Sequence, residues 1–191
     1  GPWHEDFRAA RISEVLRAGA GAHDEDAMAA LQADVRSPLG ALLVPLLLEA
    51  LEAGRAASEG SPAPGTVEAR LAALWAGEAE AFADVEARLR AWRDAGFVAA
   101  SGVETFYHPS VSDEERADAV ATTLFNAWLG PFERRVLGDE GFPPSTYTPT
   151  GSGGRMRILT RLVNGRGADD PLGLASFHAA TGESAFFDVR D

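Results

Sequence analysis

Apolar positions recur every three or four residues along most of the chain, so the pattern predicts a mainly helical protein. Phe7, Ile12, Val15 and Leu16 mark a first helix from His4 to Arg17, with Gly19 and Gly21 ending it. The next stretch, DEDAMAALQADVRSPLGALLVPLLLEALEAG from Asp24 to Gly54, reads as two helices. Asp24, Glu25 and Asp26 suit a first turn, where carboxylates meet the positive end of the helix dipole. That helix is expected to reach about Arg36. Ser37 then serves as N-cap and Pro38 as the first helical residue of another, which the pattern carries to Ala53 with Gly54 as its stop. Pro45 falls inside it, removes one backbone hydrogen bond, and is expected to bend it.

Residues 55–65, RAASEGSPAPG, read as a loop. Thr66 caps a long helix to about Arg93 carrying Leu71, Leu74, Trp75, Phe82, Val85, Leu89 and Trp92, with Gly77 as a possible interruption. The mixed stretch 94–111 has room for short extended pieces. Ser112 and Glu115 have capping-box spacing and open a helix from Asp113 towards Leu137, with a break expected at Gly130-Pro131. Residues 138–154 read as an irregular loop, Arg155 to Asn164 as a short helix, and 166–191 as a poorly patterned tail. Trp75, Trp92 and Trp128 recur with other apolar residues at helical spacing and read as core anchors.

Composition narrows the class. The chain has 191 residues, 46% of them hydrophobic, enough to bury one good core or two small ones. No apolar run approaches the roughly 20 residues of a membrane helix. The net charge of −12 comes with arginines interleaved among carboxylates, which disfavours nucleic acid and suits a solvated surface. There is no cysteine, so disulfides and thiolate metal sites are excluded. Gly1-Pro2 resembles a protease-cleavage scar, and residues 3–191 are expected to be the folded segment.

Candidate chemistry is sparse. His4, His23, His108 and His178 are scattered, with no pair three or four apart, so no metal site is expected. No G-x-S-x-G elbow occurs. GSGG at 151–154 lacks the Lys-Ser/Thr of a phosphate-binding loop and reads as a flexible connection. Asp24, Glu25 and Asp26 lack the ligand spacing of a calcium loop. Gln32 and Asp34 stand beside an apolar stripe and fit either a buried polar contact or an exposed helix face. Arg8 and Arg11 are three apart and share a helix face.

Several segments in order resemble the large chain of the penicillin acylase (penicillin amidase) family. FRAARISEVL is similar to the family's Arg-x-x-Arg-Ile-x-x-x-Leu helix. DEDAMAALQADVRS followed by LLVPLLLEAL resembles its paired helices, with Asp24, Gln32, Asp34, Ser37 and Pro45 at matching places. ARLRAWRD and ATTLFNAWLGPFERRV, with Trp128, resemble the segments that follow. The likeness covers residues 4 to 140 best.

The resemblance implies antiparallel helix pairs with long irregular loops, excised from a larger N-terminal nucleophile hydrolase with an αββα core. Such an enzyme matures by self-cleavage and uses the amine of its exposed Ser, Thr or Cys as general base. Its substrate joins an acyl group to an amine, as in β-lactams or acyl-homoserine lactones. The expected partners are the rest of the parent, meaning the nucleophile core and the small chain, and the small-molecule amide itself. Arg8 matches an arginine that helps order the oxyanion-holding Asn and the substrate; a slipped register would make it Arg11. The nucleophile, the oxyanion Asn and a structural calcium are expected outside this chain, so the fragment should be inactive, hold no cofactor and tend to self-associate. The resemblance also implies a periplasmic or secreted parent. Two other classes remain open: a non-catalytic acylase relative serving as a binding or scaffold module, and an unrelated all-α ligand-binding or interaction protein, such as a sensor domain.

Overall fold

The computed structural model describes residues 7–21, 23–99, 111–137, 156, 159–160, 163–164, 177–178 and 183–184. They form a mainly helical protein. The helices are α1 (Phe7–Ala18), α2 (Glu25–Ala33), α3 (Pro38–Glu59), α4 (Val67–Gly77), α5 (Ala79–Asp94) and α6 (Asp113–Leu137). One short antiparallel pair joins β1 (Phe177–His178) to β2 (Glu183–Ser184) in the segment expected to be an unpatterned tail. The chain divides into two units, residues 24–126 and residues 1–23 with 127–191, and α6 contributes to both.

Local chemistry places most helix starts. The Asp24 carboxylate accepts the Ala27 N–H at 2.8 Å, Ser37 Oγ accepts the Gly40 N–H at 3.0 Å, and Thr66 Oγ1 accepts the Ala69 N–H at 3.2 Å. Ser112 and Glu115 bond reciprocally, each side chain to the other's backbone N–H, at 3.1 and 2.8 Å. Each bond satisfies a first-turn donor that a helix leaves without a partner.

The core of residues 24–126 is built on α3. Leu43, Val44, Leu48 and Leu51 are buried along it, and two glycines on the same helix are buried too. A methyl group at Gly40 would stand 2.8 Å from Trp92 Cη2 and 3.1 Å from Cζ3. At Gly54 it would stand 3.2 Å from Trp75 Cε3. Each glycine is therefore a notch that seats a tryptophan. Trp75 of α4 meets Gly54 late in α3 and Trp92 of α5 meets Gly40 near its start, so the path through α4 and α5 returns along α3.

Trp92, 1% exposed, gathers the remaining contacts. Its indole N–H donates to the Val98 carbonyl at 2.7 Å. Phe97 meets its ring edge-on at 5.3 Å and Phe125 of α6 lies at 5.7 Å. The end of α5 closes in a Schellman motif. Phe97 N–H bonds to Trp92 O and Gly96 N–H to Arg93 O, both at 2.9 Å, with Gly96 at φ +80. Phe97 follows at φ +61, a left-handed conformation that favours glycine, held by the ring contact and by two backbone bonds. Its carbonyl accepts the Ser37 N–H at 2.8 Å, and Ala99 N–H reaches Val35 O at 2.9 Å. An antiparallel bridge at Arg36 and Val98 completes this clip.

Several helix boundaries differ from the sequence expectation. Helix α1 begins at Phe7 among the described residues, and His4 lies outside them. Helix α2 stops at Ala33 instead of reaching Arg36. Asp34 turns extended and its Oδ1 accepts the Arg36 N–H at 2.9 Å, freeing 35–37 to pair with 97–99. Gly54 does not stop α3, because it is the notch for Trp75; the helix runs to Glu59 with Gly60 as its cap. The expected loop 55–65 thus loses residues 55–59 to the helix. The single helix from Thr66 to Arg93 is two helices that meet at Glu78. Helix α6 continues through Gly130-Pro131, where the missing Cβ of Gly130 relieves the clash that proline imposes on its predecessor. Met156 and Leu159 are buried in the second unit. The expected loop 138–154, GSGG included, lies outside the described residues, as do Gly1-Pro2, His108 and most of the tail.

Gly40→Ala should lower stability by about 1–3 kcal/mol through overpacking against Trp92. Gly54→Ala should stay within about 0.5 kcal/mol of the parent, because the helix-propensity gain of about 0.5–1 kcal/mol offsets a milder contact. Urea unfolding of the two variants beside the natural chain measures both; equal losses would contradict the notch account.

Candidate functional site

The segment that resembles the arginine helix of the acylases forms α1. Phe7, Ile12, Val15 and Leu16 are half-buried on one side, which orients the rest of the helix. Arg8 is exposed, whereas the Arg11 side chain keeps only 20% of its exposure. Arg11 pairs with Glu14 at 3.1 Å, one turn away on the same helix. Both arginines therefore occur on one short helix in different settings: Arg8 is exposed and Arg11 is largely covered.

The same unit holds the C-terminal part of α6. There Trp128 stacks on Phe132 at 4.3 Å, half-buried and not the fully buried anchor its spacing suggested. Glu133 is 9% exposed, a buried carboxylate the sequence pattern did not single out. Its only sequence signal was its place on the apolar face one residue beyond Phe132.

The other candidates separate into local roles. Gln32 is exposed, which settles its ambiguity in favour of the helix surface. Asp34 is a turn-forming cap. Asp24 is an N-cap, and Glu25 and Asp26 are exposed in the first turn. His23 is exposed and lies against Gly19 at the end of α1. Among the described residues no group of His, Cys, Asp or Glu could hold a metal ion, and no helix is long and apolar enough to cross a membrane.

Surface electrostatics follow helical spacing. Asp84 is held below the usual carboxylate range by its hydrogen bond from Arg88 at 2.7 Å. Glu86, with 13% of its side chain exposed, accepts two bonds from Arg90 and raises the already high basicity of that guanidinium. Asp118 on α6 behaves oppositely, since partial burial pushes its carboxyl above the usual range.

The comparisons identify the family. The profile described as Penicillin amidase matches residues 1–185, nearly the whole chain. The chain belongs to the penicillin amidase family, an acylase-type hydrolase family. No curated protein and no solved structure matches it.

Removing the Asp118 charge should stabilise the protein at neutral pH. Burial raises its folded pKa above that of an exposed aspartate, so the burial cost is present above the folded pKa and vanishes below the unfolded one. Asp118→Asn should therefore raise the urea midpoint at pH 7 and leave it unchanged near pH 3. A gain of equal size at both pH values would contradict this assignment.

Proposed function

We propose that this chain is the helical segment of an N-terminal nucleophile amidohydrolase whose αββα core lies elsewhere in the parent. The match to the penicillin amidase family over residues 1–185 carries this reading. In the parent, the hydroxyl or thiol of the exposed N-terminal residue attacks the amide carbonyl while its own amine takes the proton. The amine half of the substrate leaves, and water then releases the acyl half as a carboxylic acid. Substrates of this class are β-lactam side-chain amides and acyl-homoserine lactones. A structural calcium belongs to the core and not to this segment, and the parent is exported to the periplasm or beyond.

Arg8 is the residue this segment gives to the site. Its exposure on α1 suits a side chain directed at a neighbouring core. There a guanidinium would order the Asn that donates to the oxyanion, and would meet the substrate. Held only by donors, an oxyanion is stabilised most when those donors are fixed beforehand. The segment on its own has no nucleophile and hydrolyses nothing. Its exposed apolar side chains, Leu74 at 63% and Val35 at 46% among them, favour self-association when the core is absent.

The full parent expressed from its gene should cut itself into two chains, seen by intact mass, and hydrolyse an acyl-anilide or an acyl-homoserine lactone. Arg8→Ala in that parent should lower kcat/KM by about 100-fold through misplacement of the oxyanion donor. A single uncut chain without turnover would identify a non-catalytic relative and overturn the proposal. Light scattering of the isolated 191-residue chain should show a mass above the monomer that grows with concentration.

A further inference from the structure

Helix α4 has one side against α3, where Trp75 is buried and meets Gly54. Its other side faces water, yet it is not polar. The helix VEARLAALWAG carries two charged residues in eleven, whereas α5, AEAFADVEARLRAWRD, carries seven in sixteen. A helix that is apolar all round is normally covered all round. Leu74 is 63% exposed, the most open large apolar side chain among the described residues, and Val67, two turns earlier on the same face, is 44% exposed. One exposed leucine is ordinary on a protein surface; an exposed apolar pair on a helix with no polar face marks a contact.

The surroundings of Leu74 are self-complementary. Arg70 precedes it by four residues and Glu78, the residue that caps the helix, follows it by four, so the three form one ridge; both charged residues are exposed. Ala73 and Gly77, also exposed, form a shallow row beside that ridge, and a methyl group placed at Gly77 would meet nothing within 4 Å. Neither charge has an opposite charge three or four residues away. Those positions are Thr66, Val67, Ala73 and Leu74 for Arg70, and Leu74, Trp75, Ala81 and Phe82 for Glu78. The next helix uses such spacing, pairing Arg88 with Asp84 and Arg90 with Glu86. A ridge with a cation at one end, a leucine at its centre and an anion at the other end matches itself when reversed.

We propose that the outer face of α4 is the contact between two copies of this chain, packed antiparallel about a two-fold axis at Leu74. Leu74 then lies against the partner's Leu74, and Arg70 meets the partner's Glu78. The row of Ala73 and Gly77 lets the two helices approach closely. Such a contact is closed, since one patch serves both copies. The net charge of −12 opposes association in general, but this face is locally neutral. The proposal stands independently of the acylase reading.

Sedimentation of the full 191-residue chain should show a mass that rises with concentration and levels off at twice that of one chain. Leu74→Asp should raise the dimer dissociation constant by about tenfold or more, with helix content unchanged. Arg70→Glu and Glu78→Arg should each weaken the dimer, and the two together should restore it, because the pair is then reversed and not lost. Cross-linking gives a second readout. The chain has no cysteine, so Leu74→Cys introduces a single thiol beside its own symmetry mate. Mild oxidation should link that variant into dimers, whereas Ala30→Cys, exposed on α2, should stay unlinked. A monomer at every concentration, a dimer that Leu74→Asp leaves intact, or equal cross-linking at the two positions would overturn the proposal. Protection of the Leu74→Cys thiol from alkylation only within the parent enzyme would assign the face to the acylase core and overturn it too.

Discussion

The seat of Trp92 against Gly40 is the constraint on which residues 24–126 depend. The ring needs a helix without a Cβ at that point, and Gly40 provides one, since a methyl group there would stand only 2.8 Å from Trp92 Cη2. The indole N–H needs an acceptor inside the protein, and the Val98 carbonyl supplies one at 2.7 Å. That acceptor stays in place only while 97–99 pair with 35–37. So one side chain links the start of α3, the end of α5, the extended segment after α2 and Phe125 of α6. An unsatisfied buried donor costs about 1–3 kcal/mol, which makes the clip and the ring seat mutually dependent.

A left-handed Phe97 fits that logic. A non-glycine residue there costs about 1–2 kcal/mol, and natural chains keep such positions when surrounding contacts fix them. Here the Schellman bonds, the edge-on contact with Trp92 and the Ser37 N–H all point to the same backbone conformation. Arg36 adds a further contribution. Its guanidinium lies over Gly96, at the negative end of α5, where a cation interacts favourably with the helix dipole. The second notch, Gly54 with Trp75, repeats the device further along α3, and Trp75 stacks on Phe82 at 5.4 Å across the junction of α4 and α5. Two tryptophan seats on one helix face are enough to set the direction of both shorter helices.

What the sequence made legible was local. Asp24, Ser37, Thr66 and the Ser112–Glu115 box announce helix starts because caps act within three residues. What it hid was decided by distant partners. Gly54 has the signature of a helix stop and only Trp75 makes it a notch. Arg36 continues a helical pattern and only the 97–99 segment pulls it into an extended pairing. Pro131 reads as a break, yet the glycine before it lets the helix pass. The candidate site was less legible still. Arg8 stands out through family resemblance alone, since an arginine on an exposed helix face is ordinary. Glu133 shows no sequence signal beyond its position next to Phe132, because burial of a charge is a property of packing. The division between Arg8 and Arg11, identical residues one turn apart, emerges only from their different exposure.

Hydrogen exchange of the Trp92 indole proton as a function of denaturant tests the central claim most directly. If the ring seat and the clip form one unit, that proton exchanges with the same free energy and denaturant slope as the backbone amides of Leu43 and Leu48. Exchange that is fast and insensitive to denaturant, while those amides stay protected, would show that the Val98 bond opens by itself and that the fold does not depend on it.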